Sequence, residues 1–112
     1  MDIYNELQEK IMELNSCIED TRNKGIQYNK AEYEYKVKLR LEALNLKYEN
    51  DMPVTLINQV IYGVPEVAEL RLKRDKAQTI YETAKEKVNI LKLQVRILDS
   101  QLQREYNNRY GD

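Results

Sequence analysis

PEVAELRLKRDKAQTIYETAKEKVNILKLQVRILDSQL, residues 65 to 102, decides the fold. Within it Val67, Leu70, Ala77, Tyr81, Ala84, Val88, Leu91, Val95, Leu98 and Leu102 fall on alternating three- and four-residue steps, interrupted only at Arg74. A 3.5-residue period keeps one seam of a helix turned to a neighbour over many turns, so it predicts a helix supercoiled against a partner helix. Ile80, Ile90, Leu93 and Ile97 lie beside the seam and widen it, which predicts more than one neighbouring helix there. Pro65 suits a first turn, and Glu66 and Glu69 sit at the positive end of the helix dipole. Asn107, Asn108 and Gly111 announce fraying, so the helix is expected over about 65–107, about 60 Å at 1.5 Å per residue.

Upstream comes an apolar link. Asp51 offers a cap, Pro53 fits a first turn, and Gly63 followed by Pro65 is a stop, so a short helix is expected over about 53–62. Val54, Leu56, Ile57, Val60, Ile61 and Tyr62 are too many apolar side chains for a surface loop. The element therefore either plugs the end of a hairpin or docks on another subunit, with Leu56, Ile57, Val60, Ile61 and Tyr62 as the partner or oligomer surface.

The first half reads as helix over about 2–49. Ile3, Leu7, Ile11, Leu14 and Ile18 begin on one face, and the seam weakens between Thr21 and Asn29. Gly25 has poor helix propensity, so a break near 21–29 and a continuous but softened helix are both open. Apolar spacing resumes as Tyr33, Val37, Leu41, Leu44 and Tyr48, taken as the inner row after a shift of register, with Tyr28, Ala31, Tyr35, Leu39, Ala43 and Leu46 as an adjoining stripe. Tyr33 to Tyr35 and Val37 to Leu41 alternate like a strand, but the surrounding Lys, Glu, Leu and Ala favour helix. The expected fold is all-α: one domain over 1–112, a long antiparallel, coiled-coil-like helical hairpin with a short connecting helix. Two helices bury only one stripe each, so a dimer or higher homo-oligomer is expected to complete the core.

Composition agrees with long helices: 33% charged and 42% hydrophobic residues, with no Trp or Phe, three Gly and two Pro. The nine tyrosines fall mostly at seam spacing and read as packing residues. A net charge of -1 gives no bulk pull toward nucleic acid or acidic membranes, yet the charge is unevenly spread. Residues 1 to 20 hold six acids against Lys10 alone, and residues 71 to 96 hold eight bases against Asp75, Glu82 and Glu86. A lone Cys17 excludes an internal disulfide and reads as a small helix residue. No apolar run approaches the roughly 20 residues of a membrane span, and the N-terminus lacks the character of a signal peptide. The expectation is a soluble cytoplasmic protein with no membrane partner.

Catalytic chemistry finds little to stand on. There is no His, and the sequence has no glycine-rich phosphate loop, paired-cysteine metal motif or serine-nucleophile motif. No enzyme activity, cofactor or metal is expected. Only Glu32 and Glu42 fall near the first-half seam, and they read as solvated helix acids. The basic residues are the stronger lead, because the hairpin places Lys36, Lys38 and Arg40 across from Arg71, Lys73, Arg74 and Lys76. That cluster could contact phosphates without reading sequence, although interleaved Glu34, Glu42, Glu69 and Asp75 suit a merely solubilising flank. Arg74, the one charge in the long seam, is expected to pair with Glu42 and fix register.

The stretch Met52 to Asp75, with Leu98-Asp99-Ser100-Gln101-Leu102, resembles small uncharacterised helical proteins of bacteriophages and prophages of Gram-positive bacteria. The resemblance covers most of the chain, rests on no catalytic motif, and implies a setting among phage recombination, replication or host-takeover functions. It assigns no functional residue. Three readings follow: a noncatalytic protein that binds a host or phage macromolecule, a nucleic-acid-binding accessory protein of recombination or replication, and an oligomer that sequesters a small ligand such as a nucleotide at subunit junctions.

Overall fold

The computed structural model describes residues 2–111. In them a helix α1 (Ile3–Tyr48) is followed by α2 (Val54–Val60), a 3-10 turn (Ile61–Gly63) and α3 (Pro65–Tyr110), with no strand among the described residues. α1 and α3 pack together as a helical hairpin, the expected all-α class.

Local chemistry explains the ends. Asp2 Oδ1 accepts the Tyr4 backbone N–H at 3.1 Å, satisfying one of the orphan donors at the start of α1. Asp51 takes a left-handed φ of 52°, a region that Asp tolerates better than most side chains, and Met52 N–H turns back onto the Leu46 carbonyl at 3.1 Å. Asp51 therefore closes α1, and does not cap the link helix as expected. α2 instead starts on the Pro53 carbonyl, which accepts from Leu56 and Ile57 N–H at 3.0 Å each. Pro65 opens α3 as expected, with Ala68 N–H donating to Val64 O at 2.9 Å. At the far end α3 continues to Tyr110, past the expected 107, with the Tyr106 and Tyr110 rings 5.0 Å apart across the last turn.

The chain divides into two compact units, one comprising the residues up to Asn23 and from Glu82 onward, the other Lys24–Tyr81. In the first, the terminal unit, Cys17, Val88 and Leu91 form a buried cluster against which Leu14 packs. Leu7 and Ala84 are also buried. Thr21 is half-buried without an orphaned hydroxyl: its Oγ1 donates to Cys17 O at 2.7 Å and lies 3.4 Å from Ala84 O on α3. Gln94 is less well served, since its Oε1 is buried with no hydrogen-bond partner among the described residues.

The second, the turn unit, is plugged by the link. Ile57 and Ile61 are buried, and Val67, the first residue of the heptad row, is 0% exposed. Ala31 and Tyr35 are buried along α1, and the Tyr28 and Tyr81 rings stack with centroids 6.0 Å apart. Lys38 reaches Glu66 at 2.6 Å and Lys73 reaches Glu34 at 3.4 Å, two ion pairs from α1 to α3 that agree on one register.

α1 runs unbroken through residues 21–29. A β-carbon on Gly25 would lie 3.0 Å from Tyr81 Cε1, so this glycine is spent on letting the two helices approach and not on ending one. The first-half register also continues without a shift. The row Leu7, Leu14, Thr21, Tyr28, Tyr35 and Glu42 is buried or half-buried throughout, as are Cys17, Lys24, Ala31, Lys38 and Asn45 between its members. The inner-row assignment of Tyr33, Val37, Leu41, Leu44 and Tyr48 is thereby corrected: all five are exposed, and the stripe taken as adjoining is the inner one.

Candidate interaction surface

The displaced row is the most prominent feature of the turn unit. Steps of four, four, three and four put Tyr33, Val37, Leu41, Leu44 and Tyr48 on one side of α1, with Ile26 one heptad earlier. At 3.6 residues per turn this side lies roughly 145° around the helix from the Tyr28–Tyr35 seam. It thus points away from α3, and Tyr33 and Tyr48 remain 70% and 72% exposed. The hairpin thus keeps an apolar stripe on the side of α1 that α3 does not cover.

The link adds to it in part. Of the five residues expected to form a partner or oligomer surface, Ile57 and Ile61 are the plug, whereas Leu56, Val60 and Tyr62 are exposed. Two of the five are thus spent inside the hairpin end, and three are left on its surface. Substituting Ile57 or Ile61 would therefore disrupt the plug, and only Leu56, Val60 and Tyr62 can report on docking.

In the terminal unit Ile90, Leu93 and Ile97 are exposed on α3, nearly opposite its Val88–Leu91 seam. Ile80 in the turn unit is exposed too. The residues read as widening the heptad row are thus apolar side chains without cover.

The seven bases of the expected cluster all fall in the turn unit, but most are engaged there. Lys36 pairs with Glu32 at 3.4 Å, Lys38 holds both Glu42 at 3.0 Å and Glu66, and Lys73 holds Glu34. Arg71 lies 5.1 Å from the Tyr62 ring centroid. Arg74 pairs with its neighbour Asp75 at 2.9 Å and stacks 4.7 Å from the Tyr35 ring centroid. Glu42 is taken by Lys38, so the expected Arg74–Glu42 pair gives way to a cation–π contact that places a half-buried guanidinium over the Tyr35 ring on the seam. Arg40 and Lys76 are exposed.

Electrostatics single out one pair. The hydrogen bonds that Lys38 donates to Glu66 and then to Glu42 hold its ammonium above its ordinary pKa, and the hydrogen bond and charge of Lys38 hold the Glu66 carboxyl below the usual carboxylate range.

Concavity is slight. A groove of about 280 Å³ lined by Gln27, Lys30, Ala31, Glu34, Lys73 and Ala77 opens on the turn unit. Another of about 350 Å³, with Ile18, Thr21, Lys85, Val88, Asn89 and Lys92, opens on the terminal unit. Among the described residues no three His, Cys, Asp or Glu side chains are grouped to hold a metal ion, and no helix is long and apolar enough to cross a membrane.

The surface was hidden from sequence reading because α1 carries two rows. The inner one is diluted by Thr21, Lys24, Lys38, Glu42 and Asn45, while the outer one is the more apolar. The continuous seven-residue spacing from Leu7 to Tyr35 was the available signal. No protein family, no curated protein and no solved structure matches the chain.

Proposed function

We propose that the chain is a noncatalytic interaction protein of phage type that acts by binding another macromolecule, a host or phage protein, in a host-takeover or anti-defence setting. The observation that supports this reading is the apolar side of α1 from Tyr33 to Tyr48, left uncovered by α3 and accompanied in the same unit by exposed Leu56, Val60 and Tyr62. An exposed apolar row at helical spacing is how a helix presents anchors to a groove or to a second helix. The nucleic-acid alternative draws less support, since five of its seven bases already have acidic or aromatic partners within the chain.

A pull-down from host-cell lysate tests the reading when the parent is run beside a Leu56→Asp/Tyr62→Ser variant and a Val37→Asp/Leu41→Asp variant. A protein retained by the parent and lost from at least one variant of unchanged helicity is the expected result. Identical capture by all three, or none by the parent, would remove both surfaces as the means of binding.

A further inference from the structure

The outer side of α1 has a flank as well as an apolar crest. Lys36, Arg40 and Lys47, at steps of four and seven, are exposed along one edge of the Tyr33–Tyr48 row. Were the row to pair with itself about a two-fold axis, antiparallel helices would bring that basic edge against its own copy. Like charges there repel, so antiparallel pairing of the row with itself is disfavoured.

Its complement is present elsewhere in the chain. Counted from the sequence, the turn unit holds eight acids against ten bases, net +2, and the terminal unit eleven acids against eight bases, net -3. In the terminal unit Glu9, Glu13 and Asp20 are exposed on α1 at the same steps of four and seven. Met12, 71% exposed, stands beside them and gives this face its apolar contact, while Ile90, Leu93 and Ile97 lie on the side of α3 turned away from α1 and are not part of it.

We propose that the Tyr33–Tyr48 side of α1 is a docking surface for the acidic terminal unit of a second copy of this chain, with Lys36, Arg40 and Lys47 facing Glu9, Glu13 and Asp20. The apolar row supplies the area and the charged edges choose the mate and its register. Existing contacts compete only locally: Lys36–Glu32 and Lys10–Glu13 are partly exposed neighbours on their own helices, Lys47 lies 5.1 Å from the Tyr48 ring centroid and Asp20 also has a partner within the chain. Partly exposed contacts of this kind exchange at small cost. The proposal shares with the preceding section only the idea that this side of α1 is a contact surface.

Sedimentation velocity across a concentration series tests it with a charge swap. One variant carries Lys36→Glu, Arg40→Glu and Lys47→Glu, the other Glu9→Lys, Glu13→Lys and Asp20→Lys; all six positions are exposed, and circular dichroism checks that the helices persist. The parent is expected to sediment as more than one chain and to dissociate as salt rises. Each variant alone should sediment as a single chain, and an equimolar mixture should recover association, because each reversed row then meets an opposite one. If a triple variant loses helicity, Arg40→Glu and Glu13→Lys are compared in the same way. A parent that stays a single chain overturns the proposal, as does a folded reversal variant that associates like the parent or a mixture that does not associate. Lysate capture that persists in variants unable to self-associate leaves the interaction reading standing, whereas intact self-association without capture removes that reading and keeps this one.

Discussion

Gly25 lies where a β-carbon would come within 3.0 Å of Tyr81 Cε1 and 3.1 Å of its Cζ, in a unit where Tyr81 also stacks on Tyr28. Replacing it with alanine gains about 1 kcal/mol of helix propensity but forces the ring to move, and overpacking of that kind costs about 1 to 3 kcal/mol. Removing the ring separates the two. In a Tyr81→Ala background, Gly25→Ala should stabilise by about 1 kcal/mol in urea unfolding, clearly more favourably than in the parent. Equal effects in both backgrounds would show that the two residues do not share a contact. The same residue explains one failure of sequence reading. Propensity is a local quantity and marks Gly25 as a weak point, but the reason for the glycine is a ring supplied by the other helix, which local sequence does not display.

At the level of elements, α3 was legible because its seam has a single apolar period: from Val67 to Leu102 every seam position, Arg74 included, is buried or half-buried. α1 was half legible. Its helical nature followed from composition and spacing, but two rows competed for the inside, and area alone favours the wrong one. Tyr28, Ala31 and Tyr35 are inside because Gly25 and Ala31 let α3 approach and because Lys38, Glu34 and Tyr35 find Glu66, Lys73 and Arg74 there. The Lys38–Glu66 pair gives this register a pH signature. Glu66 is shifted down, so its contribution is complete above the ordinary carboxylate pKa and fades as pH falls through the lowered value. Lys38 is shifted up, so its contribution is complete below the ordinary lysine pKa and fades as pH rises through the raised value. The difference in Tm between the parent and Glu66→Gln should accordingly be present near about pH 7 and close toward about pH 3 and about pH 12. Because Glu66 is exposed and Lys38 only half-buried, added salt should shrink it as well. A Tm difference unchanged from acid to alkali would mean that the pair does not hold the register.

For the molecule as a whole, the hairpin class, the connecting element and the order of helices could all be read from the residues, whereas the exposed apolar side of α1 could not, because exposure is settled only once one row has been chosen over another. The plugged link also bears on time. The α1–α3 ion pair Glu34–Lys73 spans 39 residues of chain, and the Thr21–Ala84 contact spans 63. Loop-closure entropy rises with the length of chain enclosed, but each closure made shortens the next, so the search is cheapest where Ile57, Ile61 and Val67 gather and proceeds outward from there. Stopped-flow refolding should register this as a gradient. Val67→Ala should slow folding with little change in the unfolding rate, and Leu91→Ala should mainly speed unfolding. The reverse pattern would place the nucleus at the other end. A chain whose last contacts are those nearest its termini keeps that part of the hairpin unformed until late, and the link sets the moment at which the two long helices begin to close like a zip.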